Sequence, residues 1–251
     1  MNFRRLNQQV WEEIGADDPD WGVLTHKDTR GGGWSTRLDE FYATGRFVVA
    51  ELLADPLIAD LIIGHAIDWG CGTGRLSLAL GERFESVAGI DIASTMVETA
   101  RQRADARGAV NCSFYHLPEH ERAGKSDFVL SLWVLQHVPD AAGVQESIKQ
   151  IASHMKPGSF GVLEMPIELQ TWRLRLQARY HVYRFLTGYG FPPSVLRRCK
   201  IHGMSMQAMS PSEFKRISSL AGLTVIGSKI YTYESVTYCR YFVRNIAPGL
   251  R

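Results

Sequence analysis

From about residue 57 to residue 166 the chain alternates between two kinds of apolar spacing. Ile67–Trp69, Val87–Asp91, Cys112–Tyr115, Phe128–Trp133 and Phe160–Glu164 are short apolar runs of strand length. Between most of them lie segments in which apolar residues recur at three- and four-residue steps: Arg75–Phe84, Thr95–Arg107 and Val144–Met155. In the last of these, Val144, Ile148, Ile151 and Met155 share one face. Such alternation predicts an α/β fold with a parallel sheet covered on both sides. Farther on, Ser210-Pro211-Ser212-Glu213 predicts a capped helix start with proline at the first position. Gly222 ends that helix, and Leu223–Ile226 and Thr237–Val243 predict two further strands.

The pattern differs on either side of this core. Leu38, Phe41, Tyr42, Gly45, Val48, Val49, Leu52 and Leu53 form one helix face that stops at Pro56. Thr36 with Asp39 offers it a start of the capping-box kind. Trp11, Trp21 and Trp34, with the run Gly31-Gly32-Gly33, precede or adjoin that helix. Residues 1–56 therefore read as an N-terminal extension, either packed on the core or acting as a lid. Residues 167–209 carry seven basic side chains, Arg173, Arg175, Arg179, Arg184, Arg197, Arg198 and Lys200, against the single acid Glu168. Leu169, Trp172, Leu176, Tyr180 and Tyr183 recur there at helical spacing. The segment reads either as a solvated helix or as an inserted substrate cap. The core then comprises 57–166 plus 210–251.

Composition narrows the function classes. The net charge of +2 over 251 residues makes no general case for nucleic acid. No apolar run reaches the roughly 20 residues needed for a bilayer span, and no apolar stretch of the secretory type follows Met1-Asn2-Phe3-Arg4-Arg5. The four dispersed cysteines, without a C-x-x-C pair, suit a reducing cytosol. His116 and His120 are four apart, but Pro118 between them argues against a regular helix, and no metal is expected.

The chemistry concentrates at Asp68-Trp69-Gly70-Cys71-Gly72-Thr73-Gly74. A short strand delivers the chain to glycines that let the backbone turn tightly and approach a ligand, and a helix follows. Asp91 ends the next strand about 20 residues on, where a carboxylate can accept the hydroxyl hydrogens of a ribose. The glycines run G-x-G-x-G rather than G-x-G-x-x-G. Asp68 stands at the mouth, where it would repel a pyrophosphate but would suit an ammonium or sulfonium. A nicotinamide cofactor is disfavoured.

This motif resembles the first motif of the class I S-adenosylmethionine-dependent methyltransferases. The resemblance continues through Gly89-Ile90-Asp91-Ile92, Ser126-Asp127-Phe128-Val129-Leu130-Ser131, Leu135-Gln136-His137-Val138 and Met155-Lys156-Pro157-Gly158-Ser159-Phe160. It covers roughly 60–165, with a weaker match over 210–245. It implies a Rossmann-like, mostly parallel seven-stranded sheet with an antiparallel last strand, and S-adenosyl-L-methionine as cofactor. Gly70, Cys71, Gly72 and Gly74 would admit the methionine portion and ribose. Asp68 would organise the amino group, Asp91 would hold the ribose, and Ile92 and Met96 would pack on the adenine. The acid usual directly after the third strand is missing, so His116 or the backbone of Leu117 would meet the adenine edge, or Glu119 would reach back to it. Leu132 and Trp133 would pass beside the sulfonium.

Two residues near strand ends, His137 and Glu164, are the candidate bases for a hydroxyl acceptor. Trp34 from the extension and Arg173, Tyr180 and Tyr183 from the cap are the candidate acceptor contacts. The expected reaction is methylation of a small molecule of anionic or aromatic character, at oxygen in a metabolite or sugar. N-methylation of an amine and a non-catalytic cofactor-binding role are the alternatives. The Asn/Asp-Pro-Pro-Tyr/Phe motif of nucleic-acid amino methylation is absent after the fourth strand, where Ser131-Leu132-Trp133-Val134 stands.

Overall fold

The computed structural model describes residues 3–25, 29–169, 171–192, 195, 196, 199, 201, 203, 204, 206–233 and 236–246. Seven strands form one sheet: β1 (His65–Trp69), β2 (Ser86–Asp91), β3 (Cys112–His116), β4 (Ser126–Ser131), β5 (Met155–Leu169), β6 (Leu223–Tyr233) and β7 (Val236–Asn245). Their order is β3-β2-β1-β4-β5-β7-β6. The pairs from β3 across to β5 are parallel, while β7 runs antiparallel to both β5 and β6. The predicted fold class is therefore the observed one.

Each strand contributes to two cores because successive side chains face opposite sides. Ile67 and Val129 point to one face, with Ile148 and Ile151 of α6 (Ala141–His154) and Phe214 of α8 (Pro211–Leu220). On that face the Phe214 and Tyr241 rings stack with centroids 3.9 Å apart. Ala66, Phe128 and Leu130 point to the other face. They meet Val49 and Leu52 of α3 (Leu38–Leu53) and Leu76 and Leu80 of α4 (Arg75–Gly81). There α3 crosses α4 at Gly45, where a Cβ would stand 2.4 Å from the Arg75 carbonyl oxygen. Glycine is required at this crossing by close approach rather than by its backbone angles.

Several element ends differ from the sequence reading. Ser210 does cap α8, accepting from the Glu213 N–H, with Pro211 first in the helix. Thr36 does not cap α3: its hydroxyl bonds back to the Gly33 carbonyl at 3.1 Å, and the N-cap is Arg37 with no side-chain bond. The helix read from Val144 begins at Ala141, because Asp140 accepts from the Gly143 N–H at 2.7 Å. β5 runs on to Leu169, and β6 and β7 are longer than predicted. The three strands prolong one another through pairs such as Leu169 with Val236 and Tyr233 with Val236.

The N-terminal residues fold as α1 (Phe3–Asp17) and α2 (Pro19–Val23). Glu12 of α1 accepts from the backbone N–H groups of Ser94 and Thr95 at 2.7 and 3.0 Å, capping α5 (Ser94–Ala106) from another part of the chain. Asp20 of α2, buried, pairs with Arg103 of α5 and accepts from the Thr73 hydroxyl at 3.2 Å. Tyr180 and Tyr183 of α7 (Thr171–Gly188) pack with Leu6 and Val10 of α1. No helix among the described residues is long and apolar enough to cross a membrane.

Candidate functional site

Strand order reverses at β1, which lies between β2 and β4. Beyond the carboxyl ends of the strands at such a point, loops diverge and leave a crevice. Asp68 of β1 and Gly70 just beyond it, Asp91 of β2, and Leu132 and Trp133 just after β4 all line one cleft there. Gly70 and Cys71 both donate backbone N–H bonds to the Ile90 carbonyl, at 2.7 and 3.0 Å, tying the loop to the end of β2. Gly72 has φ 53, and its N–H donates to Asp91 Oδ2 at 2.8 Å. A Cβ on Gly72 would stand 2.4 Å from a methyl of Val23.

The two carboxylates in this cleft are both displaced from ordinary behaviour. Burial pushes the Asp68 carboxyl up to about 6, with the Ser77 hydroxyl, 2.6 Å away, partly opposing the shift. Burial also raises Asp91, against hydrogen bonds from the Ala93 and Gly72 amides. Each Asp91 oxygen receives one backbone bond and retains a further lone pair, so a ribose diol can still be accepted.

The cleft has a cavity of about 140 Å³, smaller than the roughly 300–1,000 Å³ of ordinary ligand sites. Asn7 and Trp11 of α1 and Gly22 and Val23 of α2 complete its lining, and so reduce it. Beside it lies a chamber of about 1080 Å³. Its aromatic walls include Trp21 and Trp34 from the extension and Tyr231, Tyr233 and Tyr238 from the β6–β7 hairpin, and Met204 and Met206 line it too. Gly22, Val23, Arg75, Trp133 and His137 line both spaces and form the wall through which they meet.

Trp133 has φ 59, an uncommon angle for a bulky residue. The Arg75 guanidinium lies over its ring at 5.3 Å. The His137 ring meets the Trp11 ring edge-on with centroids 5.1 Å apart, and the Gln136 amide nitrogen stands 3.0 Å from His137 Nε2.

The sequence candidates divide accordingly. Asp68, Gly70, Cys71, Gly72, Asp91, Ile92, Met96, Leu117, Leu132, Trp133 and His137 line the cleft. Trp34 and Tyr183 line the chamber, with the Trp34 indole N–H bonded to the Leu24 carbonyl at 2.9 Å. Four others stand elsewhere. Gly74 (φ 85) is the N-cap of α4 and backs onto Phe114 rather than the cleft. His116 Nε2 is 2.8 Å from the Ile92 carbonyl oxygen and 3.2 Å from the Gln8 amide nitrogen, so it buttresses the cleft from behind. Tyr180 is packed among Leu6, Val10 and Leu196. Glu164 lies within β5, not at its end, and its carboxylate accepts from Tyr231 at 2.7 Å and Arg240 at 3.3 Å. Burial raises its pKa. The Arg173 side chain lies outside the described residues.

Sequence reasoning missed Asn7, Val23, Arg75 and the three hairpin tyrosines. Only the tyrosines carried a usable signal, since Tyr231 and Tyr233 repeat at the two-residue period of one strand face. No group of three or more His, Cys, Asp or Glu side chains fit to hold a metal occurs among the described residues.

A family profile described as a methyltransferase domain matches residues 67–163. A ubiquinone biosynthesis O-methyltransferase of Idiomarina loihiensis is 29% identical over 163 residues, covering 62% of this chain and 60% of that protein. One from Acinetobacter baylyi is 32% identical over 96 residues, 37% of this chain and 39% of its own. The chain thus spans about two fifths to three fifths of the length of these curated relatives. Among solved structures, magnesium protoporphyrin IX methyltransferase from Synechocystis with bound SAH superposes with a TM-score of 0.62 at 20% identity, covering 94% of this chain and 97% of the other. An N-methyltransferase of Bradyrhizobium japonicum gives 0.59 at 14% identity, covering 95% and 98%.

Proposed function

Because the chain belongs to the class I S-adenosylmethionine-dependent methyltransferases, we propose that it methylates a bulky small molecule of aromatic or anionic character, at oxygen, in the chamber beside the cofactor cleft. The observation that carries this reading is the wall shared by cleft and chamber at Arg75, Trp133 and His137. It is the place where a methyl donor in one space and an acceptor in the other would come together. The names of the ubiquinone O-methyltransferases and of the protoporphyrin methyltransferase support an oxygen-directed reaction and a large planar acceptor.

The residues present fit the cofactor. Asp91 would accept the ribose hydroxyls, Asp68 would face the ammonium, and Ile92 and Met96 would pack on the adenine. The absence of a side chain on Gly72 leaves the loop open to close approach. Bound there, S-adenosylmethionine supplies a methyl carbon already activated by its sulfonium. The protein's part is positioning and exclusion of water. Trp11 and Val23 cover the cleft, and the tyrosines and tryptophans of the chamber hold an acceptor ring by stacking and apolar contact. His137 at the shared wall would take the proton from an acceptor hydroxyl. Glu164 would act indirectly, holding Tyr231 and Arg240 in the chamber wall. The segment 167–209 would serve as a cap, with Tyr183 presented to the chamber and Arg173 available to an anionic acceptor.

Label transfer from methyl-labelled S-adenosylmethionine tests this reading, using a panel of phenols, aromatic carboxylic acids and amines. Label on phenolic oxygen is the expected outcome. Label on nitrogen alone would replace it with the N-methylation alternative. Cofactor binding without label on any acceptor would leave a non-catalytic binding protein.

A further inference from the structure

Among the described residues, one charged side chain at the shared wall has no ion-pair partner. Arg75 is 2% exposed. Its one hydrogen bond goes from Nη1 to the Thr44 hydroxyl at 3.1 Å, and Nε has no partner among the described residues. Trp133 and Phe41 lie beside the guanidinium, with ring centroids 5.3 and 6.0 Å from its central carbon. Burial lowers its pKa to about 10, so it keeps its charge at neutral pH. A buried unpaired ion carries a desolvation penalty of several kcal/mol, which one neutral hydroxyl and two rings offset only in part. Asp68 is near enough to interact electrostatically with Arg75, yet its carboxylate is bonded to Ser77 and forms no ion pair with the guanidinium. Both line the same cleft. An acid and a base that face one space without touching are complementary to a zwitterion.

We propose that Arg75 is the carboxylate receptor of the site, taking the carboxylate of a ligand at the wall shared by cleft and chamber. This rests on the cofactor reading above. Two molecules can bring a carboxylate there: the amino-acid end of the cofactor, or a carboxylated acceptor. The nearby Asp68 favours the first, because an α-amino acid presents an ammonium beside its carboxylate.

Calorimetry with two pairs of probes distinguishes the sources. The first pair is S-adenosylhomocysteine and its decarboxylated analogue; the second is 2-naphthoate and 2-naphthamide. The wild type is expected to prefer the carboxylate member of at least one pair by tenfold or more, and Arg75→Met to abolish that preference. Loss in the first pair identifies the cofactor as the source, and loss in the second identifies the acceptor. Arg75→Lys, which keeps the charge, is expected to restore part of the preference, as a merely structural arginine would not require. Preferences unchanged in Arg75→Met overturn the proposal. So does a wild type that binds both members of each pair equally, a result that needs no folded variant. A wild type that binds neither nucleoside probe overturns the cofactor reading itself.

Discussion

The cofactor cleft and the chamber beside it are neighbours built in different ways. The cleft is made largely of strand ends that the sheet order brings together, and its chief polar groups lie in two short stretches, Asp68–Gly72 and Asp91–Met96. The chamber takes its walls from α1 to α3, the turn after β4, Gly203, Met204, Met206 and the β6–β7 hairpin. In the cleft, charge and backbone geometry prescribe the ligand. In the chamber, aromatic surface is extensive, and charged side chains are set into it, among them the buried Arg75 and Arg240. A site of the first kind can persist while the second is remodelled for a different acceptor.

The largest test of this contrast lies at the wall the two spaces share. For a hydroxyl acceptor, His137→Ala is expected to lower kcat by about 10²–10⁴ while the affinity for S-adenosylhomocysteine stays near wild type. It should also remove one limb of the pH–rate profile. Unchanged kcat and profile would leave catalysis to proximity and orientation alone.

Within the cleft, Asp91→Ala removes the proposed ribose acceptor together with the partner of the Gly72 and Ala93 amides. Affinity for S-adenosylhomocysteine should fall by about 1.5–3 kcal/mol, roughly 10- to 150-fold, measured by calorimetry. An unaltered affinity would refute the ribose assignment.

Asp68 adds a pH dependence. Its folded pKa, about 6, lies above the ordinary value of 3.8. Its contribution to the stability of the ligand-free protein is therefore fully present below about pH 4 and is lost as pH rises through 6. A cationic ligand prefers the ionised carboxylate, so the rise in Tm produced by S-adenosylhomocysteine should shrink as pH falls from 7 to 5. At most about tenfold in affinity should be lost per pH unit below 6. A ligand-induced rise in Tm that is constant across this range would detach Asp68 from the ammonium.

On the chamber side the expected effect is on stability and not on cofactor affinity. Tyr231→Phe takes a donor from the buried Glu164 carboxylate. That should cost about 1–3 kcal/mol of stability, a fall in Tm of roughly 2–4 °C per kcal/mol for a chain of this size. Cofactor affinity should not change. A change in cofactor affinity in this variant would show that the two regions are coupled.

Much of the cleft was legible before the structure because its information is local. The residues of the glycine loop are contiguous, and Asp91 follows at an interval set by one helix and one strand. His137 was legible as a position near the sheet edge. Glu164 was misplaced as a strand end, because β5 extends only where β7 returns to pair with it. The sequence points His116 toward the adenine, but its ring turns to the Ile92 carbonyl and to Gln8 of α1, 108 positions away in sequence. Thr36 failed as a cap because its hydroxyl was taken by the Gly33 carbonyl of the preceding turn.

By itself, then, the sequence determined the periodicities, the strand–helix alternation, the glycine loop and the two acids that belong with it. These follow from side-chain direction and backbone freedom over a few residues. Only the tertiary structure decided that Glu12 caps a helix 82 residues away, that α1 and α2 lie over the cleft, and that the hairpin tyrosines face the same space as Trp21 and Trp34. It also decided that Arg75, one residue past the glycine loop, is buried between Thr44 of α3 and Trp133 after β4. Contacts of this kind depend on which surfaces the chain buries against each other. That choice is made by packing and by the pairing of buried polar groups across the whole fold, and it leaves no periodic trace in the sequence.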